Sequence, residues 1–270
     1  MIEIIATAES TSQAKELIEA GIDSLYIGEE KFGLRLPNSF SNEEMKELTE
    51  FAHEHGKKAI VAVNGLMHND QIEEVVPYLR FLEDIKVDGI TVGDPGVIHL
   101  IRKNDMNLSY IYDGHTLVTS AKQINFWAKR GATGVVLARE LTKPELEEIA
   151  EQISVPAEVL VYGATCIHHS KRPLVTNSFN FVGSKEAKDR GLYVSEPRNQ
   201  DTQDSIYEDL HGTHIFADND INLMMELNHL ADMGMKTWKL DGIFTKGESF
   251  VSIAKLFVEA KQAIETGECT

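Results

Sequence analysis

Residues 2–28 read IEIIATAESTSQAKELIEAGIDSLYIG, and this stretch decides the fold. Ile2 to Thr7 has the character of a short strand, and Ser10-Thr11-Ser12 supplies a helix start. From Thr11 to about Ala20 the spacing places Ala14, Leu17 and Ile18 on one helical face, and Gly21 ends the helix. Ser24-Leu25-Tyr26-Ile27 is a second strand, closed by Gly28. Strand, helix and strand in so short a span is the rhythm of a parallel sheet.

The rhythm continues along the chain. Ser41 and Glu44 form a capping-box pattern before a helix that turns Met45, Leu48, Phe51 and Ala52 inward and stops at Gly56. Further strands are expected over Ala59–Val63, Gly89–Val92, Leu108–Ile111, Gly134–Ala138, Ala157–Val161 and Thr237–Leu240. The helices between them cover Asn69–Asp84, a segment through Ile101, Thr119–Arg130, a segment opened by Thr142-Lys143-Pro144-Glu145, Asn219–Met233 and Glu248–Ile264. Pro77 is expected to kink its helix or to move the start. Alternating strands and helices define an α/β fold, and a closed TIM-like (β/α)8 barrel with right-handed crossovers is the economical solution. An open doubly wound sheet is the alternative. It normally offers a glycine-rich nucleotide loop, and neither GxGxxG nor GxxxxGK[ST] occurs here.

The pattern breaks between strand seven and helix seven. Residues 167–217 lack helical period and hold short β-like pieces, Ser178 to Val182 and Leu192-Tyr193-Val194. A structureless loop of that size is uncommon inside a domain, so the segment is expected to be an insertion with strands of its own. Residues 1–270 then form a single barrel domain with 167–217 lying over its mouth.

Twenty-six basic against 43 acidic residues leave a net charge of −17. Such a surface repels phosphate backbones and anionic lipid, so the chain is not expected to bind nucleic acid independently. RNA remains open as the substrate of a complex whose partner supplies basic surface. Two cysteines, Cys166 and Cys269, exclude a disulfide framework and a four-cysteine metal site within the chain. Cys269 falls in a tail expected to be mobile. No signal peptide or membrane-length apolar run is present, and a cytoplasmic location is expected.

In a (β/α)8 barrel the chemistry sits where strands end and βα loops begin. Glu9, Arg35, Asn64, Asp94, Asp113, His115, Arg139, Glu140, Cys166, Lys239 and Asp241 fall at such positions. Each has a plainer reading as a loop residue or helix cap; their concentration at one face is the signal. Arg139-Glu140 could be a local ion pair, or could bind a ligand carboxylate and orient a base. Glu158 to Thr176 runs from a buried strand through Tyr162-Gly163-Ala164 into a segment expected to be a loop, which bears Cys166, His168, His169, Ser170, Lys171 and Arg172. Cys166 is equally a small buried residue. With His168, His169 and one of His211 or His214 it could ligate a metal, although close neighbours in a loop rarely converge; no metal site is assigned. No Gly-x-Ser-x-Gly elbow or His-Glu-x-x-His helix occurs, so the usual protease machineries are absent.

These residues resemble peptidase family U32, the collagenase-like proteases. The family signature runs Glu-x-Phe, His-Gly-Ala, Cys, then Ser-Gly-x-Cys ending in Ser, and Glu158, Gly163, Ala164, Cys166 and Ser170 stand in the matching places. Ala14 to Gly28, Val63-Asn64, Asp94-Pro95-Gly96, Leu137 to Leu141, Glu208-Asp209, Gly212-Thr213 and Lys239-x-Asp241-Gly242 match further family segments, so the resemblance spans nearly the whole chain. There are departures. Tyr162 replaces the signature histidine, Pro173 the second cysteine, Ile243 an arginine and His115 a glutamine, and the later cysteines of the insertion have no counterpart.

Hydroxylating members of the family are thought to hold an iron–sulfur cluster on four such cysteines. The resemblance therefore implies that this chain binds none by itself. It also implies a function: oxygen-independent hydroxylation of ubiquinone precursors or RNA bases, including the tRNA wobble uridine, where prephenate is implicated. A short, cluster-less, acidic member fits a subunit of a tRNA wobble-uridine 5-hydroxylation system, reaching tRNA through a longer cysteine-containing U32 partner. The expected catalytic residues are Glu158, Cys166 and Glu140. Arg139, Arg35, Asn64, Asp94, His115, Lys239 and Asp241 are expected to bind ligand, a prephenate-like carboxylate among the possibilities. A peptidase and a non-catalytic small-molecule-binding barrel or scaffold are the alternatives, and whether the chain alone is an enzyme stays open.

Overall fold

In the computed structural model, residues 1–115, 117–183, 191–196 and 199–268 are described. Cys269 lies outside them. The chain divides into two compact units, Met1–Tyr162 with Leu223–Thr270, and Gly163–Asn222.

The larger unit is the barrel. Its first half runs β1 (Glu3–Thr7), α1 (Thr11–Glu19), β2 (Ser24–Ile27), α2 (Asn42–Glu54), β3 (Lys58–Val63), α3 (Asn69–Asp84), β4 (Gly89–Val92) and α4 (Pro95–Lys103). Then come β5 (Tyr110–Tyr112), α5 (Ala121–Ala128), β6 (Ala132–Val136), α6 (Lys143–Ala150) and β7 (Ala157–Gly163). After the second unit, α8 (Leu227–Asp232), β13 (Thr237–Leu240) and α9 (Gly247–Thr266) complete it. Eight parallel strands follow the order β7-β13-β1-β2-β3-β4-β5-β6, and β6 pairs with β7 to close the ring. The expected (β/α)8 barrel is present.

Period-two alternation sorts the side chains. Ile4 and Ala6 join the large outer core between strands and helices, whereas Ile5 faces inward with Tyr26, Leu36, Ile60 and Ala62. That inner apolar cluster is small. The other inward positions carry Thr7, Asn64, Thr91, Asp113, Glu158, Lys239 and Asp241, all buried. A barrel interior normally holds branched apolar layers, so polar groups here cost folding free energy unless they satisfy one another.

Helix starts follow local chemistry. Ser41 and Glu44 form the expected reciprocal capping box on α2, and Thr142 with Glu145 forms another on α6. Helix α3 begins at Asn69 as expected and is continuous to Asp84 with Pro77 inside it.

The smaller unit holds β8 (Cys166–Ser170), α7 (Leu174–Val182), β9 (Leu192–Glu196), β10 (Asn199–Asp209), β11 (Gly212–Phe216) and the two-residue β12 (Ile221–Asn222). Strands β8, β11, β10 and β9 form an antiparallel sheet in that order.

Three expectations need correction here. Residues 166–170 are not a loop but strand β8, because β11 pairs with them from Thr213↔Ser170 to Phe216↔Cys166. Ser178 to Val182 is not β-like; it is the second half of α7. Tertiary partners override the strand propensity of its aromatic residues: Thr213 Oγ1 accepts from Leu174 N at 2.9 Å and Glu208 from Thr176 N at 3.1 Å. Gly183, in the left-handed conformation, ends the helix. Finally, Asn219–Met233 is not one helix. It comprises β12, a 3-10 turn at Met224–Glu226 and α8, and Met225 in the turn is exposed.

Candidate functional site

The inward polar residues form one cluster that extends from Glu158, near the start of β7, to the C-terminal ends of the strands. At the end of β3, Asn64 donates from Nδ2 to Asp113 Oδ2 at 2.7 Å and accepts from Leu34 N at 2.9 Å. Asp113 follows β5, and its Oδ1 accepts from His115 N at 2.9 Å. Gly93, after β4, permits the close approach of these loops, since a Cβ there would lie 2.5 Å from the Asp113 carbonyl oxygen. Arg35 donates to His115 Nδ1 at 3.1 Å. A guanidinium can only donate, so Nδ1 is the acceptor and the ring proton sits on Nε2. Both residues have positive φ, 53° and 58°, strained for residues with a Cβ. Strain of this kind persists where the surroundings impose it and clusters at functional sites.

Below this layer, Lys239 of β13 lies with Nζ 3.1 Å from the Tyr26 ring centroid and 3.9 Å from Glu158 Oε1. The Tyr26 and Thr91 hydroxyls share a 2.8 Å hydrogen bond. Arg139, after β6, reaches Asp241 Oδ2 at 3.5 Å, and Asp241 Oδ1 also accepts from Ile243 N at 3.1 Å. Gly242 N donates to Thr7 Oγ1 at 2.8 Å, which pins the turn after β13 to β1.

The electrostatics follow from burial. Burial pushes the Glu158 carboxyl up, against the opposing pull of Lys239. Burial likewise lowers Lys239, more than Glu158 and Asp241 restore it. The two shifts narrow the gap between acid and amine, which suits proton exchange between them. His115 is held down by burial and by Arg35, in keeping with its neutral tautomer, while Asp113 pulls the other way. Burial also works against Asp113, but His115, Asn64 and Arg35 outweigh it and hold that carboxyl below its ordinary range. Tyr26 is pushed well up by burial and by Asp113, so it stays a neutral phenol. Three cations, Arg35, Arg139 and Lys239, thus face three carboxyls, Asp113, Asp241 and Glu158.

The expected site residues do not all belong. Arg35, Asn64, His115, Arg139, Glu158, Lys239 and Asp241 join the cluster, with Asp113. Asp94 does not: its carboxylate accepts from Gly96 N at 2.7 Å and Met67 N at 3.0 Å, and so caps α4. Glu9 ties the first βα loop to the start of α9 through Gly247 N at 2.7 Å. Glu140 is exposed. Cys166 belongs to the smaller unit, where its Sγ lies 3.4 Å from the His168 carbonyl oxygen. There His214 Nε2 donates to Asp209 Oδ1 at 2.9 Å, His169 Nε2 donates to the His211 carbonyl at 3.0 Å, and the His169 and His214 rings stack at 4.5 Å. Among the described residues no group of three or more His, Cys, Asp or Glu side chains could hold a metal ion.

Tyr26 and Thr91 were absent from the expected site. Each stands between two apolar neighbours that point outward, Leu25 and Ile27 or Ile90 and Val92. That alternation was the available signal for an inward hydroxyl.

Fold and cluster together define a (β/α)8-barrel protein with a buried acid–base and guanidinium site at the strand ends. The model of peptidase family U32 matches residues 9–270, and the chain belongs to that family. Among similar proteins, tRNA hydroxylation protein P2 of Bacillus subtilis is 36% identical over 96% of this chain and 85% of its own length. The tRNA hydroxylation protein P1 of the same organism is 28% identical over 89% of this chain but only 58% of its own length. The solved structure of the U32 peptidase Mk0906 aligns with a TM-score of 0.59 at 15% identity, covering 92% of this chain and 94% of its own.

Proposed function

We propose that the chain is a subunit of a tRNA hydroxylation system that forms 5-hydroxyuridine at the wobble position and works with a longer U32 partner. Its similarity to tRNA hydroxylation protein P2 along 96% of its length carries this reading. The presence of both P1 and P2 in one organism supports a pair of unequal U32 chains. The net charge of −17 supports a division of labour in which the partner supplies the RNA-binding surface.

An iron–sulfur cluster does not fit this chain. Four thiolates are the usual requirement, and only two cysteines occur, one of them in a strand beside its own His168 carbonyl. The cluster of charges instead suits a small carboxylate ligand. Arg139 and Arg35 hold and orient its carboxylate, and Lys239 with Glu158 supplies and accepts protons beside it. His115, neutral and donating through Nε2, adds a hydrogen bond without adding charge.

Removing the gene is expected to abolish 5-hydroxyuridine-derived nucleosides in tRNA, measured by mass spectrometry of digested tRNA. Unchanged levels would refute the reading.

A further inference from the structure

A cavity of about 330 Å³ opens at the N-terminal end of the barrel, opposite the charged strand ends. Its walls come from strand starts: Glu3 of β1, Lys58 of β3, Gly89 of β4 and Thr237 of β13, with Ser109 and Thr133 exposed at the rim. Gly89, Ser109 and Thr237 are short side chains at three of these strand starts, and Ile5, Ile60 and Ile111 line the cavity as well. Glu158 lines the inner end.

That position is unusual for a carboxyl. Glu158 is 6% exposed, and its ion-pair partner among the described residues, Lys239, stands 3.9 Å away, beyond hydrogen-bond reach. No protein donor in the described residues satisfies it at close range, unlike Asp113 or Asp241. A buried carboxyl so placed must carry its own proton or be hydrated, and a cavity of this size, open to solvent beside Glu3, Lys58, Asp88 and Thr237 although Ile5, Ile60 and Ile111 line it too, has room and polar partners for water. A contact of 3.9 Å is also readily bridged by one water.

We propose that the cavity is a proton-exchange route to the centre of the barrel, in which Glu158 takes up protons from water at the N-terminal end and passes them to Lys239. The carboxylic acid gives its proton to the lysine amine, leaving carboxylate and ammonium. The carboxylate then takes a proton from hydronium in the cavity, and the reverse sequence removes one. No electrons move and no bond other than O–H and N–H is made or broken. The ligand side of the cluster can therefore remain closed to water while its acid and base are reset from behind.

The test uses the purified full chain, a water-soluble carbodiimide and glycinamide, with modification at residue 158 read by peptide mass spectrometry. Carbodiimide activates the protonated carboxyl, which is captured by glycinamide or, as an isopeptide, by Lys239; both count. Glu158 is expected to react, and to react about tenfold more slowly when bulk at the rim leaves access only through transient opening, in Ser109→Phe or Thr133→Phe. Both positions are exposed, so one folded variant suffices. Lys239→Met is expected to move the pH profile of Glu158 modification upward, since the ammonium no longer favours the carboxylate. Equal rates in the folded rim variants, or no modification of Glu158 at any pH, would overturn the route. An unmoved profile in Lys239→Met would overturn the relay. None of these readouts involves RNA, so they fail or succeed independently of the hydroxylation reading.

Discussion

Asn64 and Asp113 show how a single side chain sets the state of its neighbour. The 2.7 Å hydrogen bond from Asn64 and the nearby Arg35 hold Asp113 ionised against burial. A carboxylate whose folded pKa is depressed stabilises the protein above its unfolded pKa, and that contribution is lost as pH falls through the folded value. Asp113→Asn should therefore cost about 2 kcal/mol or more at neutral pH, as loss of a buried charged hydrogen bond does. The deficit should shrink as both proteins are melted at progressively lower pH. Lys239 makes a different case. Its ammonium lies over the Tyr26 ring in a site that disfavours charge, so Lys239→Arg is not a conservative change: the larger, always charged guanidinium cannot release a proton there. Reconstituted hydroxylation by Lys239→Arg is expected to fall by about 100-fold, the low end of a lost general acid–base group. Thermal stability should change much less.

At the scale of elements, the barrel strands and an insertion with strands of its own were legible, whereas helix α7 within that insertion was not. An unbroken apolar run such as Ala59–Val63 reports burial on both faces of one segment, which needs no knowledge of partners. Helix α7 depends on partners. Leu174 and Thr176 find acceptors on Thr213 and Glu208, more than thirty residues away, and nothing local in Ser178 to Val182 announces that. Glu208→Ala should thus loosen α7 by about 1 kcal/mol, the usual worth of an N-terminal cap. Amide hydrogen exchange over residues 174–182 would show it, with barrel strands unaffected. Asp94 shows the converse. It is a polar residue at a strand exit like the cluster members, and the structure uses it as the N-cap of α4. Asp94→Ala is expected to lower stability by about 1 kcal/mol, without changing ligand-induced thermal shifts. The positive φ of Arg35 and His115, which aims both side chains at one point, has no sequence signature at all.

For the whole molecule, the net charge of −17 and the buried cluster of paired charges are separate features. A net charge of −17 disfavours nucleic acid, so purified chain alone is expected to bind tRNA with a dissociation constant above about 10⁻⁴ M at physiological salt, the weak end of non-specific binding. The interior collects three cations within a closed ring of eight strands, where a small anion meets little screening. Glu158 was singled out by family resemblance, and Lys239 and Asp241 by resemblance and by their place at a strand exit; barrel closure explains why residues so far apart in sequence come near one another. What sequence could not supply was the distinction between cluster members and caps, because both occupy strand exits. The most direct test separates them in one experiment. In a strain lacking the chromosomal gene, plasmid copies of wild type, Arg139→Ala, Lys239→Met and Asp94→Ala are compared by mass spectrometry of 5-hydroxyuridine-derived nucleosides in tRNA, with protein levels matched. Wild type and Asp94→Ala should restore the modification, and the two cluster variants should leave it at least about tenfold lower, the loss of one charged contact. Full restoration by Arg139→Ala and Lys239→Met would contradict a functional site at the barrel's strand ends.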